Sequence, residues 1–420
     1  MQATQSQVIK KILKGKSLCV TGGAGRGKSY LIDQVYDENT LVCAPSAIAA
    51  LNVKGMTAHS SFSLPIRVCL RSDYDTLGEK FIEIFGGDEI NRIIIDEAFM
   101  LRADQLDLID QKLRRVKGNN QPFGGLQLVL VGDMFQIEPV VTDTEYETFY
   151  KQGYKSGFIF NSNVWKELEL KTMVLTECFR QEKEEQVKIL DGIRTGTDLK
   201  KNVKLLNQTI QVVDYLDDLD CVLTGRRKIA ARYNRLALKQ IKGQEASALA
   251  YIKGDFNLRA TRFDKVLVLK VGAHVIFCHN DKNKTFFNGE KGVVEDIKTK
   301  DGYIKKVLVR KLDGSLIEVS RAKVENSTMV RIGSELIEQV IGSVSQFPIL
   351  LSYGITMHSS QGMTLQEYGI DIQGGSFSHG QTYVGCSRIE DLENLYVEEK
   401  FHPRDFIINP EVKEFYRNLL

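Results

Sequence analysis

The 420-residue sequence predicts an α/β chain of two parallel-sheet domains, with a small β module inserted in the second. Three observations predict it. Short apolar runs bounded by Gly, Pro or an acidic residue alternate with helical patterns from Leu18 to Val131, as in a parallel sheet covered on both faces. A second set of such runs begins near Lys171. Between about Ile241 and Ser345 the texture changes to short alternating segments separated by Asn-Gly, Asp-Gly and Gly turn signals.

In chain order, VIKKIL after Gln7 reads as an amphipathic helix that Gly15 ends. Leu18–Val20, Leu41–Ala44, Ile93–Ile95 and Leu126–Val131 follow as buried strands. The second set consists of Met173–Leu175, Cys221–Leu223, Ile349–Leu351 and Leu395–Val397. The inserted segments are Val266–Val271, Ala273–Cys278, Gly292–Ile297, Lys305–Val309 and Ser315–Val319. No fixed-period repeat appears, which excludes a solenoid.

Composition narrows the class. Apolar residues make up 43% and charged residues 26%, with seven prolines, so collagenous, low-complexity and disordered chains are excluded. No 18-residue apolar window exists, and Met1–Lys16 lacks the apolar core of a secretory signal. The expectation is a soluble chain with no membrane partner, placed in the cytoplasm of a bacterial or phage-infected cell. The seven cysteines form no CxxC pair, which argues against the usual zinc spacings and for thiols in a reducing compartment. A net charge of +2 does not by itself announce a nucleic-acid partner.

Chemistry gathers at the strand ends. Gly22-Gly23-Ala24-Gly25-Arg26-Gly27-Lys28-Ser29 fits GxxxxGK[ST] just after a strand and at the opening of a helix. Glycines let backbone N–H groups turn inward around phosphate oxygens, Lys28 reaches the β and γ phosphates, and Ser29 ligates Mg2+. The partner carboxylates stand in Ile93-Ile94-Ile95-Asp96-Glu97: Asp96 for the metal through water, Glu97 to deprotonate the attacking water. Alone, Asp-Glu after an apolar run could be a helix cap; its pairing with the glycine loop gives it meaning. Gln136, in the third strand-end segment Gly132–Gln136, can hydrogen-bond a terminal phosphate and lose that bond on hydrolysis.

In this order the residues resemble superfamily-one helicases of the Pif and Dda type, related to RecD, from about Thr4 to Val397. Gln5 stands where the family reads adenine. Gly22–Ser29 is similar to the first motif, with Arg26 in place of a small residue. Ala44-Pro45-Ser46, then Thr57, His59, Ser60 and Phe62, resembles the next, with Ser46 for the usual Thr. Asp96-Glu97 and Gly132–Gln136 follow, with Glu138 where a Pro is common. Leu175–Gln181 resembles the segment that supplies an arginine, here Arg180. Thr356, His358, Gln361 and Gly362 fit Thr-x-His-x-x-Gln-Gly, and Tyr383–Arg388 resembles the final motif.

The resemblance implies two RecA-like P-loop domains, 1–170 and 171–240 plus 346–420. It also implies a wedge insertion at about 64–88 and an SH3-like β domain at 241–345. Arg180 and Arg388 are implied to reach a γ phosphate when the domains close, with Gln361 and Gly362 at the nucleotide. Pro45, Ser46, His59, Phe62, Thr224, Asn234, Thr356 and His358 are the implied contacts to a single strand. Independently of the family, Lys228, Arg232, Arg235, Lys239 and Lys242 fall on one helical face that could follow phosphates. The implied function is an ATP- and Mg2+-dependent DNA helicase moving 5′ to 3′ on single-stranded DNA and opening tailed or forked duplexes. It would work as a monomer, beside single-strand-binding or replication proteins. The alternatives are an RNA or RNA–DNA hybrid unwinder on the same motor, or an ATP-switched DNA-binding protein without processive movement.

Overall fold

The structure is a computed structural model. It describes residues 1–419 except 47–48, 51–52, 54, 257, 259–260, 280, 282, 284, 287–289, 333–334 and 362; the side chains of 326–332, 335–339 and 341 are likewise not described. By its internal contacts the chain forms two compact units, Met1–Leu216 with Thr356–Leu420, and Asp217–Ile355.

The first unit is built on a sheet of seven strands: β1 (Gln2–Ala3), β2 (Leu18–Thr21), β3 (Thr40–Ala44), β4 (Met56–Thr57), β5 (Arg92–Ile95), β6 (Gln127–Gly132) and β7 (Lys171–Leu175). Their order is β1-β7-β2-β6-β5-β3-β4, and every pair is parallel. Both faces are covered, which is why the strands read as unbroken apolar runs. Val20, Val42, Ile94, Val129 and Val131 pack on one side against Val8 and Ile12 of α1 (Gln5–Leu13) and Leu31, Ile32 and Val35 of α2 (Lys28–Val35). Cys19, Cys43, Ile93, Ile95, Leu128 and Leu130 point the other way, onto Leu106, Ile109 and Leu113 of helix Ala103–Lys117. Helix α1 begins where Thr4 and Gln7 form a reciprocal capping box.

Met173–Leu175, which the sequence places at the head of the second set, lies instead in this first sheet, with Leu18 opposite Lys171. Five residues carry no mark of which neighbour they pair with; the consequence is that the Thr176–Arg180 segment emerges beside the glycine loop. The unit is completed by helices Glu184–Thr195, Leu199–Thr209 and Gln381–Cys386 and by the parallel strands Tyr368–Asp371, Leu395–Val397 and Gln211–Val212. Helix Pro410–Arg417 returns to seat Val412 in the first core. Residues 64–88 carry a 3₁₀ turn (Arg71–Asp75) and a helix (Glu79–Phe85) whose Phe81 and Phe85 are buried, while Ile66 is 78% exposed.

The second unit opens with strand Val222–Thr224 and helix Arg227–Gln240, then becomes a sheet. Strands run in the order Val266–Leu269, Ala246–Leu249, Tyr303–Lys311, Lys291–Lys300, His274–Phe277, Ile349–Leu351, with Leu316–Val319 branching from Tyr303–Lys311. Its core gathers Val275, Phe277, Phe286, Val294, Val307, Val309 and Phe347. Ile349–Leu351 is antiparallel to His274–Phe277 rather than a strand of the second parallel set, because three residues cannot encode direction. A long hairpin, Ala322–Ile332 with Glu335–Gln346, carries Tyr251–Gly254 on its edge. The Asn288-Gly289 turn signal lies outside the described residues.

Candidate nucleotide cleft

Because the first sheet is parallel, all its strands end at one edge, and the loops there define a cleft of about 350 Å³. Its wall on the β2 side is Ala24–Tyr30, with Asp96, Glu97 and Gln136 from the ends of β5 and β6. The lining continues with Phe179 and Arg180, which lie against the loop at Gly25, and with Thr364, Arg388 and Glu390.

Gly25 and Gly27 hold φ near +70° (71° and 68°), the left-handed region in which a side chain is strained. Gly27 is the N-cap of α2, so the helix's first N–H groups open into the cleft. Gln5 fastens the loop from behind, its Nε2 donating to the carbonyls of Arg26 (3.3 Å) and Gly27 (3.0 Å). The Phe179 N–H donates to the Gly25 carbonyl at 2.7 Å. Lys28 Nζ donates to the Gly22 and Gly23 carbonyls, both at 2.9 Å. Burial pulls its pKa below the ordinary lysine value, against the opposing charges of Glu97, Asp133 and Asp96.

Asp96 is buried, and its Oδ1 accepts the Glu97 N–H at 2.9 Å. Burial, then the neighbouring Glu97 charge, raises its carboxyl well above the usual range. Glu97 itself sits at φ 47°, a strained conformation that turns its side chain into the cleft. Gln136 is buried and accepts from Gln361 Nε2 at 3.2 Å; the other amide atom of Gln361, Oε1, is buried without a hydrogen-bond partner.

Arg180 and Arg388 stand together. Arg180 Nη1 donates to the Ser387 carbonyl at 2.7 Å. Arg388 is only 2% exposed, held by Val384 O (3.0 Å) and Ser387 Oγ (2.9 Å). Burial, then the Arg388 charge, lowers Arg180 to about 10. Two adjacent guanidiniums in a cleft that Lys28 also lines constitute a site for a polyanion.

A triphosphate with Mg2+ fits these residues. The loop residues Ala24–Ser29, Lys28 among them, and both guanidiniums line one cleft, and Ser29 and Asp96 both border it. Among the described residues no cluster of three or more His, Cys, Asp or Glu could hold a metal alone.

The sequence-predicted set divides. Gln5, Gly22–Ser29, Asp96, Glu97, Gln136, Arg180, Gln361 and Arg388 converge on the cleft and its back wall; Gly362 lies outside the described residues. The Arg26 guanidinium turns away from the phosphate position and pairs with Asp191 and the Thr176 carbonyl. Pro45 and Ser46 follow β3 half-buried, and His59 reaches Gln105 at 3.4 Å. Phe62 differs from expectation: it is fully buried, stacked on Phe85 at 5.5 Å, so its ring is core and not a platform for a base. Thr356 caps the turn that presents the exposed His358. In the second unit Thr224 is buried and accepts the Arg226 N–H at 3.3 Å. Asn234 clamps Gly354 through both amide groups, at 3.1 and 2.8 Å. Lys228, Arg235, Lys239 and Lys242 are exposed, and Arg232 lies over the Tyr233 ring.

Sequence reasoning passed over Phe179, which is 61% exposed in the cleft beside Gly27 and Gln5. An aromatic residue next to the cleft arginine was the available signal. Behind the loop, Asp133 and Tyr383 stood in their motifs without an assigned role, and Arg194 was missed.

Fold and site together define a P-loop α/β protein of the RecA-like kind, with phosphate-binding loop and arginines on one cleft. The match to known proteins narrows this. Residues 1–205 match the family model of the PIF1-like helicases. The ATP-dependent DNA helicase Pif1 of Campylobacter jejuni is 28% identical over 415 residues, 93% of this chain and 90% of that protein. The crystal structure of Bacteroides Pif1 bound to ssDNA is 30% identical with a TM-score of 0.84, covering 99% of this chain and 96% of that one. The Bacteroides Pif1 complex with ADP-AlF3 and ssDNA gives 30% and 0.83, over 99% and 97%. The chain belongs to the PIF1-like helicase family. Among the described residues no helix is long and apolar enough to cross a membrane.

Proposed function

We propose that the protein is an ATP-dependent DNA helicase that moves 5′ to 3′ on single-stranded DNA and opens tailed or forked duplexes. The observation that carries this reading is that Arg180, set against the glycine loop, and Arg388 line the same cleft as Lys28. Relatives that are named DNA helicases, or were captured with ssDNA and with ADP-AlF3, support it.

In this reading the N–H groups of Gly25–Ser29 cradle the phosphates and Lys28 leaves its two carbonyls for the β and γ oxygens. Ser29 and Asp96 would hold Mg2+, which neutralises phosphate charge when bound. Glu97 takes the proton of the attacking water, Gln136 senses the terminal phosphate, and Arg180 and Arg388 stabilise the charge of the transferring group. Gln5 reads the purine edge while the exposed Phe179 ring offers it a face. Pro45, Ser46, His59, Thr356 and His358 line the strand, whereas the buried Thr224, and Asn234, held by Gly354, shape the second unit. We further assign residues 64–88 as the wedge and the β sheet after Ile241, which takes in Ile349–Leu351, as an SH3-like accessory domain; the first motor domain then runs through Leu175, and the remaining residues form the second. Their closure on ATP and release after hydrolysis would set direction.

A tailed-duplex assay tests the reading. Unwinding of DNA bearing only a 5′ tail, with ATP turnover stimulated by ssDNA, is expected. Activity on 3′ tails alone overturns the polarity, equal activity on RNA loading strands favours the hybrid unwinder, and binding without displacement leaves the ATP-switched reading.

A further inference from the structure

The far side of the glycine loop carries a run of polar contacts, closed into a ring by helix Glu184–Thr195, that the phosphate chemistry does not use. The Ala24 N–H donates to the Tyr383 hydroxyl at 2.9 Å, and that hydroxyl donates to Asp133 Oδ2 at 3.2 Å. Both Asp133 oxygens are taken by Arg194, with Nε and Nη2 at 2.7–3.1 Å. Arg194 is stacked over the Phe135 ring at 4.7 Å. Three residues earlier on the same helix, hence on the same face, Asp191 pairs with Arg26 of the loop. The path runs Ala24, Tyr383, Asp133, Arg194, Asp191, Arg26 and returns to the loop.

Gly23 lies at its centre: a Cβ there would stand 3.3 Å from Asp191 Oδ1, 3.3 Å from the Tyr383 hydroxyl and 3.5 Å from Arg194 Cδ. A second cavity of about 570 Å³ is lined by Gly23, Arg26, Asp191 and Arg194 among others, and Arg26 borders both it and the nucleotide cleft. Burial alone would push the Asp133 carboxyl up, but the charge and hydrogen bonds of Arg194 bring it net below the ordinary value. Thus Asp133 stays ionised and fully occupied, which leaves Lys28 to its two carbonyls.

We propose that Tyr383 and the Arg26–Asp191 pair are positioning residues that hold the loop in its phosphate-accepting form before nucleotide arrives. The ring fixes the Gly23–Ala24 peptide by the hydroxyl and the Arg26 end by the ion pair, and so presets the N–H groups between them. Arg26, in place of the small residue common in the family, is the feature of this chain that makes the second attachment. The inference rests on the reading of the cleft as an ATP site.

Tyr383→Phe removes only the hydroxyl, and Asp191→Asn removes a charge at a half-exposed position, so both variants are expected to fold. In the full chain with saturating ssDNA, each is expected to raise the KM for ATP by about three- to tenfold, the scale of one lost hydrogen bond. The kcat should stay within about twofold, and the double variant should be less than the product of the singles because both act on one loop. Hydrogen exchange at the Ala24 amide, measured without nucleotide, should speed up in Tyr383→Phe. Parent KM in both variants, or a fall in kcat with KM unchanged, overturns the ring. If the parent itself turns over no ATP, the cleft reading fails, and the ring is then judged by the exchange rate alone: unchanged exchange at Ala24 overturns it.

Discussion

Replacing Gly27 by alanine isolates what the loop's geometry demands. A residue with a Cβ at φ 68° meets the left-handed penalty of about 1–2 kcal/mol. The new Cβ would also overlap Gln5 Nε2, lie 3.1 Å from Gln5 Cδ and 3.2 Å from the Phe179 ring. Gln5 must therefore leave, and its two hydrogen bonds to the loop carbonyls, each worth about 0.5–1.5 kcal/mol, are lost. The sum is about 2–5 kcal/mol, and ADP affinity falls with it because the displaced groups border the cleft. Gly15→Ala supplies the control: φ is 77° there, yet nothing lies within 4 Å of its Cβ. It should lose about 1–2 kcal/mol and keep parent ADP affinity. Urea denaturation and fluorescence titration with ADP measure both quantities. Adding Gln5→Ala to Gly27→Ala should cost less than the two separately. Equal losses at positions 15 and 27, with parent ADP affinity in both, would refute the argument.

Other outcomes follow from single environments. Phe62→Ala should destabilise the protein by about 3–5 kcal/mol in denaturation, as a core cavity does, while the surviving folded fraction binds ssDNA with parent affinity. Lys28→Ala should abolish unwinding in a tailed-duplex assay while sparing ssDNA binding in a filter or anisotropy assay. His379 is buried with Nδ1 accepting the Asn409 N–H and Nε2 donating to the Met134 carbonyl. Burial outweighs the opposing influence of Met134, Glu138 and Asp133 and depresses its pKa. The unfolded chain then binds a proton that the native protein refuses, so stability is full above about pH 6.5 and declines as pH falls below it. The loss is at most about 1.4 kcal/mol by pH 5.5, and His379→Gln should flatten that part of a melting-temperature profile against pH. His59, depressed by burial and by Arg102, contributes with the same sign and should leave a residual slope.

What the sequence disclosed depended on how much of each feature is local. The longer strands of the first sheet were legible because both of their faces are buried, and their polar ends named the glycine loop, Asp96, Glu97 and Gln136 directly, whereas the two-residue edge strands Gln2–Ala3 and Met56–Thr57 left no apolar run to read. The inserted β segments were legible from alternation and turn signals. Partner choice was not: Lys171–Leu175 joins the first sheet and Ile349–Leu351 an antiparallel one, since pairing is decided by tertiary contacts. The hairpin Ala322–Gln346 escaped because Glu325, Asn326, Ser327 and Thr328 interrupt any apolar run. At the site, Phe62 was indistinguishable from a stacking ring until its contact with Phe85 was seen. Asp133, Arg194 and Tyr383, up to 250 residues apart in sequence, could be joined only by the fold.

The central claim is that the glycine loop and the two arginines form one catalytic cleft. It is tested most directly by ATP turnover with saturating ssDNA in Arg180→Ala and Arg388→Ala, beside ADP affinity in the same proteins. The account predicts turnover reduced by about 10³ or more, the contribution of a phosphate-directed arginine, with ADP binding largely kept because the γ position is empty in ADP. Turnover at the parent rate in either variant would contradict it.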